Sequence, residues 1–309
     1  MNEAQTRAGI VAIVGRPNVG KSTLLNGILG EKLAIVSHRP QTTRNRILGI
    51  LTRGPDQIIL IDSPGIHRDR ANLNTLMVQE AIAGLAGVDC ILLVTDLEPI
   101  QRTPPTEISF HREDEYVLEQ LKNQRPCPPV VVALNKIDQV KNRAQLLPLI
   151  ELWHQGGFEK IIPISALKKD GLDLLQDELT KLLPNGPHLY PEEMFTDRTE
   201  RFLVGELIRE QVFEQCRQEI PYSTAVEIER FEERKDRKDT CIEAAIYVER
   251  ESQKAIVIGN GGKRIKQIGI IARHEISRLL GCAVHLKLVV RVEKDWSHLP
   301  QGRRRFGYE

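Results

Sequence analysis

Residues 9–14, 89–95 and 129–134 are short apolar runs rich in β-branched side chains, the pattern of strands buried on both faces of a parallel sheet. Stretches with helical periodicity lie between and after them, at residues 22–29, 72–85, 144–154 and 172–183, with a further short strand at 161–164. Residues 46–52 and 57–61 are strand-like runs joined by Arg53-Gly54-Pro55-Asp56, which predicts a hairpin and one antiparallel strand. Alternation of this kind predicts an α/β domain: a mostly parallel six-stranded sheet with helices on both faces. Residues 97–115 break the rhythm with three prolines and many charges. A long surface loop is predicted over 99–112, and its residues name no chemistry.

The pattern changes at Pro184-Asn185-Gly186-Pro187-His188-Leu189-Tyr190-Pro191, whose composition is that of a linker. An amphipathic helix follows at 199–218, then strands at 225–231 and 241–248 split by a charged turn at 232–239. The apolar segment 255–258 leads into Gly259-Asn260-Gly261-Gly262, a helix at 263–280 and a last strand at 283–292. The expected division is a first domain over 1–184, a linker over 185–197, and an α+β domain with a basic tail over 198–309. Neither half contains an internal repeat.

Gly15-Arg16-Pro17-Asn18-Val19-Gly20-Lys21-Ser22 fits GxxxxGK[ST] between a predicted strand and a predicted helix, the context the motif requires. Glycines let the backbone wrap phosphates closely, and the amides of Val19, Gly20, Ser22 and Thr23 then face the anion at the helix N-terminus. Lys21 is placed to reach the β- and γ-phosphates and Ser22 to ligate Mg²⁺. Asp62-Ser63-Pro64-Gly65 lies at a strand end, where the Asp62 carboxylate can hold Mg²⁺, directly or through water, and the Gly65 amide can meet the γ-phosphate.

Asn135-Lys136-Ile137-Asp138 selects the base. An ionised Asp138 accepts hydrogen bonds from N1–H and the 2-amino group of guanine, whereas adenine offers a donor at neither position. Asn135 can tie this segment to the phosphate loop, and the Lys136 stem can pack over the ring. Ser165-Ala166-Leu167 can supply a backbone N–H to guanine O6. Four short motifs in this order, each at the carboxyl end of a predicted strand, predict a guanine-nucleotide site.

In the second half, Ile258-Gly259-Asn260-Gly261-Gly262-Lys263-Arg264 and Lys266 form a GxxG loop between helical segments, followed by cations. This is similar to the KH RNA-binding loop, and the element order resembles the type II KH arrangement. Such modules clamp about four nucleotides of single-stranded RNA. Ile258, Ile265 and Ile268 are expected in the groove, and Arg303-Arg304-Arg305-Phe306 can add phosphate contacts and one stacking ring.

With Gln41-Thr42-Thr43-Arg44 added, these motifs resemble the translation-factor-related P-loop GTPases and, among them, the bacterial Era family, over nearly the whole chain. The resemblance implies a P-loop GTPase domain followed by a type II KH domain. It makes Gln41–Arg44 switch I, with Thr43 (or Thr42) binding Mg²⁺, and makes residues from Asn72 onward switch II. The expected catalytic set is Lys21, Thr43, Gly65 and Asn18. The residue after Gly65 is Ile66, which cannot orient water, so turnover is expected to be slow. In some relatives an Asn at the place of Asn18 coordinates K⁺ beside the phosphates; the other reading is that Asn18 only shapes the loop. His67 is not chosen as a base. The family further implies a GTP/GDP-dependent factor that binds the 3′ region of 16S rRNA and assists small ribosomal subunit assembly, with peripheral membrane association in similar proteins. A cytoplasmic monomer is expected. The rival readings are an RNA-binding protein whose nucleotide is structural, and a metabolic P-loop kinase.

Composition refines this picture. The chain has 309 residues and a formal net charge of +1, which argues against a uniformly basic nucleic-acid coat. The balance conceals a division: residues 256–309 hold 11 basic and 4 acidic residues, so the positive charge begins at the GxxG loop. Five scattered cysteines support neither a disulfide framework nor a zinc site, and no apolar run approaches the roughly 20 residues of a membrane span. No secretory signal is visible.

Overall fold

The computed structural model describes residues 6–36, 46–62, 85–102, 108–123, 126–216, 220–221, 223–234, 236 and 238–307. The chain forms two compact units that part between Asp197 and Arg198.

The first unit holds strands β1 (Ala8–Val14), β2 (Ile47–Arg53), β3 (Asp56–Asp62), β4 (Cys90–Thr95), β5 (Val130–Leu134) and β6 (Ile161–Pro163) in the order β2-β3-β1-β4-β5-β6. Only β2 runs antiparallel to its neighbour, and Arg53 pairs with Asp56 across the turn Gly54-Pro55. β1 lies between β3 and β4, so the chain builds β2 and β3 on one side of it before crossing to β4 on the other, and a crevice opens at its carboxyl end. Helices α1 (Lys21–Leu29) and α5 (Leu172–Thr180) pack on one face. Helices α3 (Arg112–Lys122) and α4 (Leu147–Gln155) cover the other, where Val117, Leu121, Leu149 and Trp153 meet Ile91, Leu93, Val132 and Leu134. Full burial of each such side chain contributes about 1.5–3 kcal/mol.

The stretch predicted as a loop over 99–112 is anchored at both ends. Helix α2 (Glu98–Arg102) opens it, Ile108 and Phe110 pack on the core, and the Phe110 ring meets Trp153 edge-on at 4.8 Å. Helix α3 escaped the periodicity reading because Arg112-Glu113-Asp114-Glu115 begins it; its buried stripe is Asp114, Val117 and Leu121. The helix predicted over 72–85 lies outside the described residues, apart from its last position, Leu85. Residues of the 185–197 segment lie along the β2 edge: Ile50 N donates to Phe195 O (2.9 Å), Thr196 Oγ1 donates to Leu48 O (2.7 Å), and Gln57 binds Leu189 and Tyr190.

The second unit comprises α6 (Glu200–Gln215), β7 (Ala225–Arg234), β8 (Asp239–Val248), α7 (Glu251–Ile258), α8 (Lys263–Leu280), β9 (Ala283–Val292) and α9 (Pro300–Arg305). The sheet order is β7-β8-β9, with β8 antiparallel to β7 and parallel to β9. Leu207, Ile208, Val257, Ile268, Ala272 and Ile276 from three helices cover one sheet face through Ile242, Ala244 and Ile246. Trp296, Tyr247 and half-buried Phe306 close the other. The charged turn predicted over 232–239 is shorter, because β7 continues to Arg234, whose guanidinium grips the Asp239 carboxylate at 2.7 Å.

Candidate functional site

The loop after β1 leads straight into α1. Gly20 caps the helix at φ 102 without a side-chain acceptor, and no acidic residue occupies the first turn. The first-turn amides therefore present an open anion site. Lys21 Nζ donates to the carbonyls of Gly15 and Arg16, both at 3.0 Å. Burial pushes the Lys21 pKa down to about 8, partly opposed by Asp62. Ser22 Oγ donates to Asp62 Oδ2 at 2.8 Å, at the buried end of β3. A hydroxyl and a carboxylate side by side are hard oxygen donors of the kind Mg²⁺ takes. Thr23 continues α1. Asn18 is exposed and left-handed (φ 64), a conformation that short polar side chains tolerate.

Asn135 joins three segments. Its Nδ2 donates to Val19 O at 2.8 Å, and its Oδ1 accepts from Ala166 N at 2.9 Å. The Ala166 amide is thus already engaged by Asn135. Lys136 adopts φ 69, and its Nζ is held by Asp96 at 2.6 Å. Ser165 Oγ donates to Asp138 Oδ1 at 2.5 Å, orienting the exposed carboxylate. Leu167 is 70% exposed beside it in sequence. The structure therefore brings together Gly15, Lys21, Ser22 and Asp62 at one end, and Asn135, Lys136, Asp138 and Ser165–Ala166 at the other. Gln41 to Arg44 (with Thr42 and Thr43), Gly65, Ile66 and His67 lie outside the described residues.

A group the motifs did not name lies beneath the phosphate loop. The Arg16 guanidinium, 4% exposed, meets Asp96, Glu98 (3.1 Å) and Asp114 (3.4 Å). Burial raises the Asp114 pKa although Arg16 and Thr95 pull it down; at Asp96, Arg16 and Lys136 outweigh burial and the pKa is lowered. The only sequence signal was an Arg inside the loop and an Asp just past a strand end.

In the second unit, Gly259 (φ 71), Gly261 (φ 59) and Gly262 (φ 74) carry the left-handed turns of the GxxG loop, and Asn260 is exposed. A Cβ on Gly259 would lie 2.8 Å from the Arg264 Cβ. Gly262 caps α8 with no side-chain acceptor. Lys263 and Lys266 are exposed, whereas Arg264 turns back to the Ile256 carbonyl. A groove of about 550 Å³ runs between α8 and the sheet, lined by Ile265, Lys266, Gly269, Ile270 and Arg273 on one side and on the other by His285–Leu288 of the edge strand β9, Cys241–Glu243 of β8 and Arg230 of β7. Ile258 is half-buried against the core, and Ile268, expected in the groove, is fully buried instead. The tail is also structural: the Phe306 ring packs on Tyr247 (4.8 Å) and Trp296 (5.1 Å), and Arg305 pairs with Glu227 and Glu293.

Among the described residues, no helix is long and apolar enough to cross a membrane. The family model described as a 50S ribosome-binding GTPase matches residues 10–136, and the KH domain model matches residues 219–297. The chain is 46% identical to GTPase Era of Syntrophus aciditrophicus over 303 residues, covering 98% of this chain and 95% of that one. It is 47% identical to GTPase Era of Xylella fastidiosa over 305 residues, covering 98% of each. Two solved structures superpose with a TM-score of 0.89 at 39% identity, covering 98% of this chain and 99% of theirs. One is an Aquifex aeolicus Era variant bound to GDP·AlF4⁻. The other is Era in complex with MgGDPNP and nucleotides 1506–1542 of 16S ribosomal RNA. A nucleotide site that can read guanine, a GxxG groove in the same chain, and end-to-end similarity to these proteins establish that the chain belongs to the Era family of GTPases.

Proposed function

We propose that this GTPase couples the nucleotide state of its first unit to single-stranded RNA held by its second, and that the RNA is the 3′ region of 16S rRNA during small ribosomal subunit assembly. The observation that carries this is the groove between α8 and β9 beside an uncapped, cation-flanked GxxG loop, in a chain with an assembled guanine-nucleotide site. The RNA assignment rests on the relative solved with a 16S segment.

In this reading Gly15, Asn18, Val19, Gly20, Lys21, Ser22 and Thr23 surround the phosphates, and Lys21 leaves the Gly15 and Arg16 carbonyls for the β- and γ-oxygens. Ser22 and Asp62, with Thr43 or Thr42, would hold Mg²⁺, which would neutralise charge on the phosphate oxygens. The Gly65 amide meets the γ-phosphate. Asn135, Lys136, Asp138, Ser165, Ala166 and Leu167 enclose the guanine. Asn18 would take K⁺, whose charge would offset that of the phosphates. Gly259, Asn260, Gly261 and Gly262 admit the RNA backbone, Lys263 and Lys266 pair with phosphates, and Ile265 and Ile270 face bases. Arg264 shares the surface of Asn260 and Lys263 and adds a phosphate contact, and Ile258 joins the loop to the core. The protein acts as a cytosolic monomer.

Crosslinking to RNA with and without a non-hydrolysable GTP analogue, followed by sequencing of the bound RNA, tests partner and switch together. Recovery of the 16S 3′ region, changed by the analogue, is the expected result. Recovery of RNA from the large subunit instead would replace the partner; nucleotide-independent recovery would make the nucleotide structural.

A further inference from the structure

Helix α3 offers a carboxylate where packing calls for an apolar side chain. Its buried stripe is Asp114, Val117 and Leu121, and Asp114 is 1% exposed. Asp114 Oδ2 accepts from Thr95 Oγ1 at 2.8 Å and from Arg16 Nε at 3.4 Å, while Oδ1 finds no donor among the described residues. A buried, half-satisfied carboxylate costs stability, and an apolar residue of similar volume would pack at least as well.

What the carboxylate does is hold Arg16. That guanidinium is enclosed by Asp114, Asp96 and Glu98, so its backbone cannot drift without separating buried charges. The Arg16 carbonyl is one of the two that hold Lys21, five residues on. Asp96 also accepts from Lys136, so one cluster spans the phosphate loop and the base-reading segment. We propose that Asp114 is a positioning residue for GTP hydrolysis, acting through Arg16 to fix the backbone of the phosphate loop around the reacting phosphates. Binding of GDP draws on many loop amides and on the base contacts and tolerates a small shift. The transition state does not, because a displacement of about 1 Å at reacting groups costs up to about a hundredfold in rate.

The test compares wild type, Asp114→Asn, Arg16→Ala and the double variant in single-turnover GTP hydrolysis, GDP affinity and melting temperature. Asp114→Asn is expected to hydrolyse GTP about tenfold slower, with its GDP Kd within about threefold and its melting temperature within about 3 °C of wild type. The double variant is expected to be no slower than Arg16→Ala alone, since Asp114 acts only through Arg16. Unchanged hydrolysis in Asp114→Asn overturns the proposal. So do additive losses in the double variant, or a loss of rate matched by losses of GDP affinity and melting temperature. If Arg16→Ala does not fold, Arg16→Lys takes its place in the same comparison.

Discussion

The side-chain amide of Asn135 lies directly over Gly20. Its nitrogen donates to the Val19 carbonyl at 2.8 Å, and a Cβ on residue 20 would stand 2.4 Å from that same nitrogen. Gly20 also sits at φ 102, where an L side chain is strained. Gly20→Ala should therefore do two things: cost stability of order 1–3 kcal/mol and displace Asn135, lowering guanine-nucleotide affinity by about a hundredfold. Thermal denaturation of Gly20→Ala in the Asn135→Ala background separates the causes. The stability loss should shrink by about half there, because only the backbone strain remains. An equal loss in both backgrounds would show that the two residues do not conflict.

Burial of Lys21 gives the nucleotide-free protein a defined pH response. The pKa falls from 10.5 to about 8. Below pH 8 both the folded and the unfolded chain hold the proton, and burying the charge costs stability. Between pH 8 and 10.5 the folded chain has released the proton while the unfolded chain retains it, so this group's contribution to stability rises with pH. Lys21→Met should remove that rise, stabilise the empty protein at pH 7 by about 1–3 kcal/mol, and weaken GTP binding at least about a hundredfold. Denaturant titrations of both proteins at pH 7 and pH 10 decide it; a parallel pH response would place the Lys21 proton elsewhere.

Legibility followed the physics of each region. Strands buried on both faces, such as Cys90–Thr95, announce themselves by composition, and the phosphate loop and Asn135 to Asp138 by fixed spacing. Helix α3 did not, because its solvent face is densely charged and one of its three buried positions is Asp114. The residues joining the motifs were equally silent: Arg16, Asp96 and Asp114 are separated by 80 or more positions or by whole elements, and only folding makes them one cluster. Ile268 was misplaced because periodicity distinguishes the faces of a helix but not which face meets the sheet. The local sequence makes Phe306 a ring in a basic tail, since nothing near it shows that Trp296 and Tyr247 receive it.

In the proposed reading Asp138 chooses the base, and Ser165 Oγ donates to its carboxylate at 2.5 Å. Asp138→Asn exchanges an acceptor for a donor, so the site should turn from guanine to xanthine, with GTP affinity falling about a hundredfold and XTP affinity rising. Competition of labelled GDP with GTP and XTP reads the preference. GTP retained at wild-type strength would remove Asp138 from base recognition. Ser165→Ala should show a milder loss of about tenfold without a change of preference, because the carboxylate remains but is no longer oriented.

The tail and the GxxG loop should separate under mutation. Phe306 packs between Tyr247 and Trp296 on the sheet face formed by Ala225, Ala245 and Tyr247, opposite the face that α6, α7 and α8 cover. Phe306→Ala should lower the stability of the second unit by about 1–3 kcal/mol, less than for a fully buried ring, and leave RNA affinity within about twofold at temperatures well below melting. Gly261 stands at the exposed tip of the loop with open space around it, though at φ 59. Gly261→Asp puts a negative charge where the proposed function brings an RNA phosphate, so RNA affinity should fall at least about tenfold while GTP affinity holds. Filter binding to single-stranded RNA, with melting curves of both variants, measures the contrast. Were Phe306→Ala to abolish RNA binding without lowering the melting temperature, the ring would belong to the RNA surface after all, and the packing against Trp296 would be incidental.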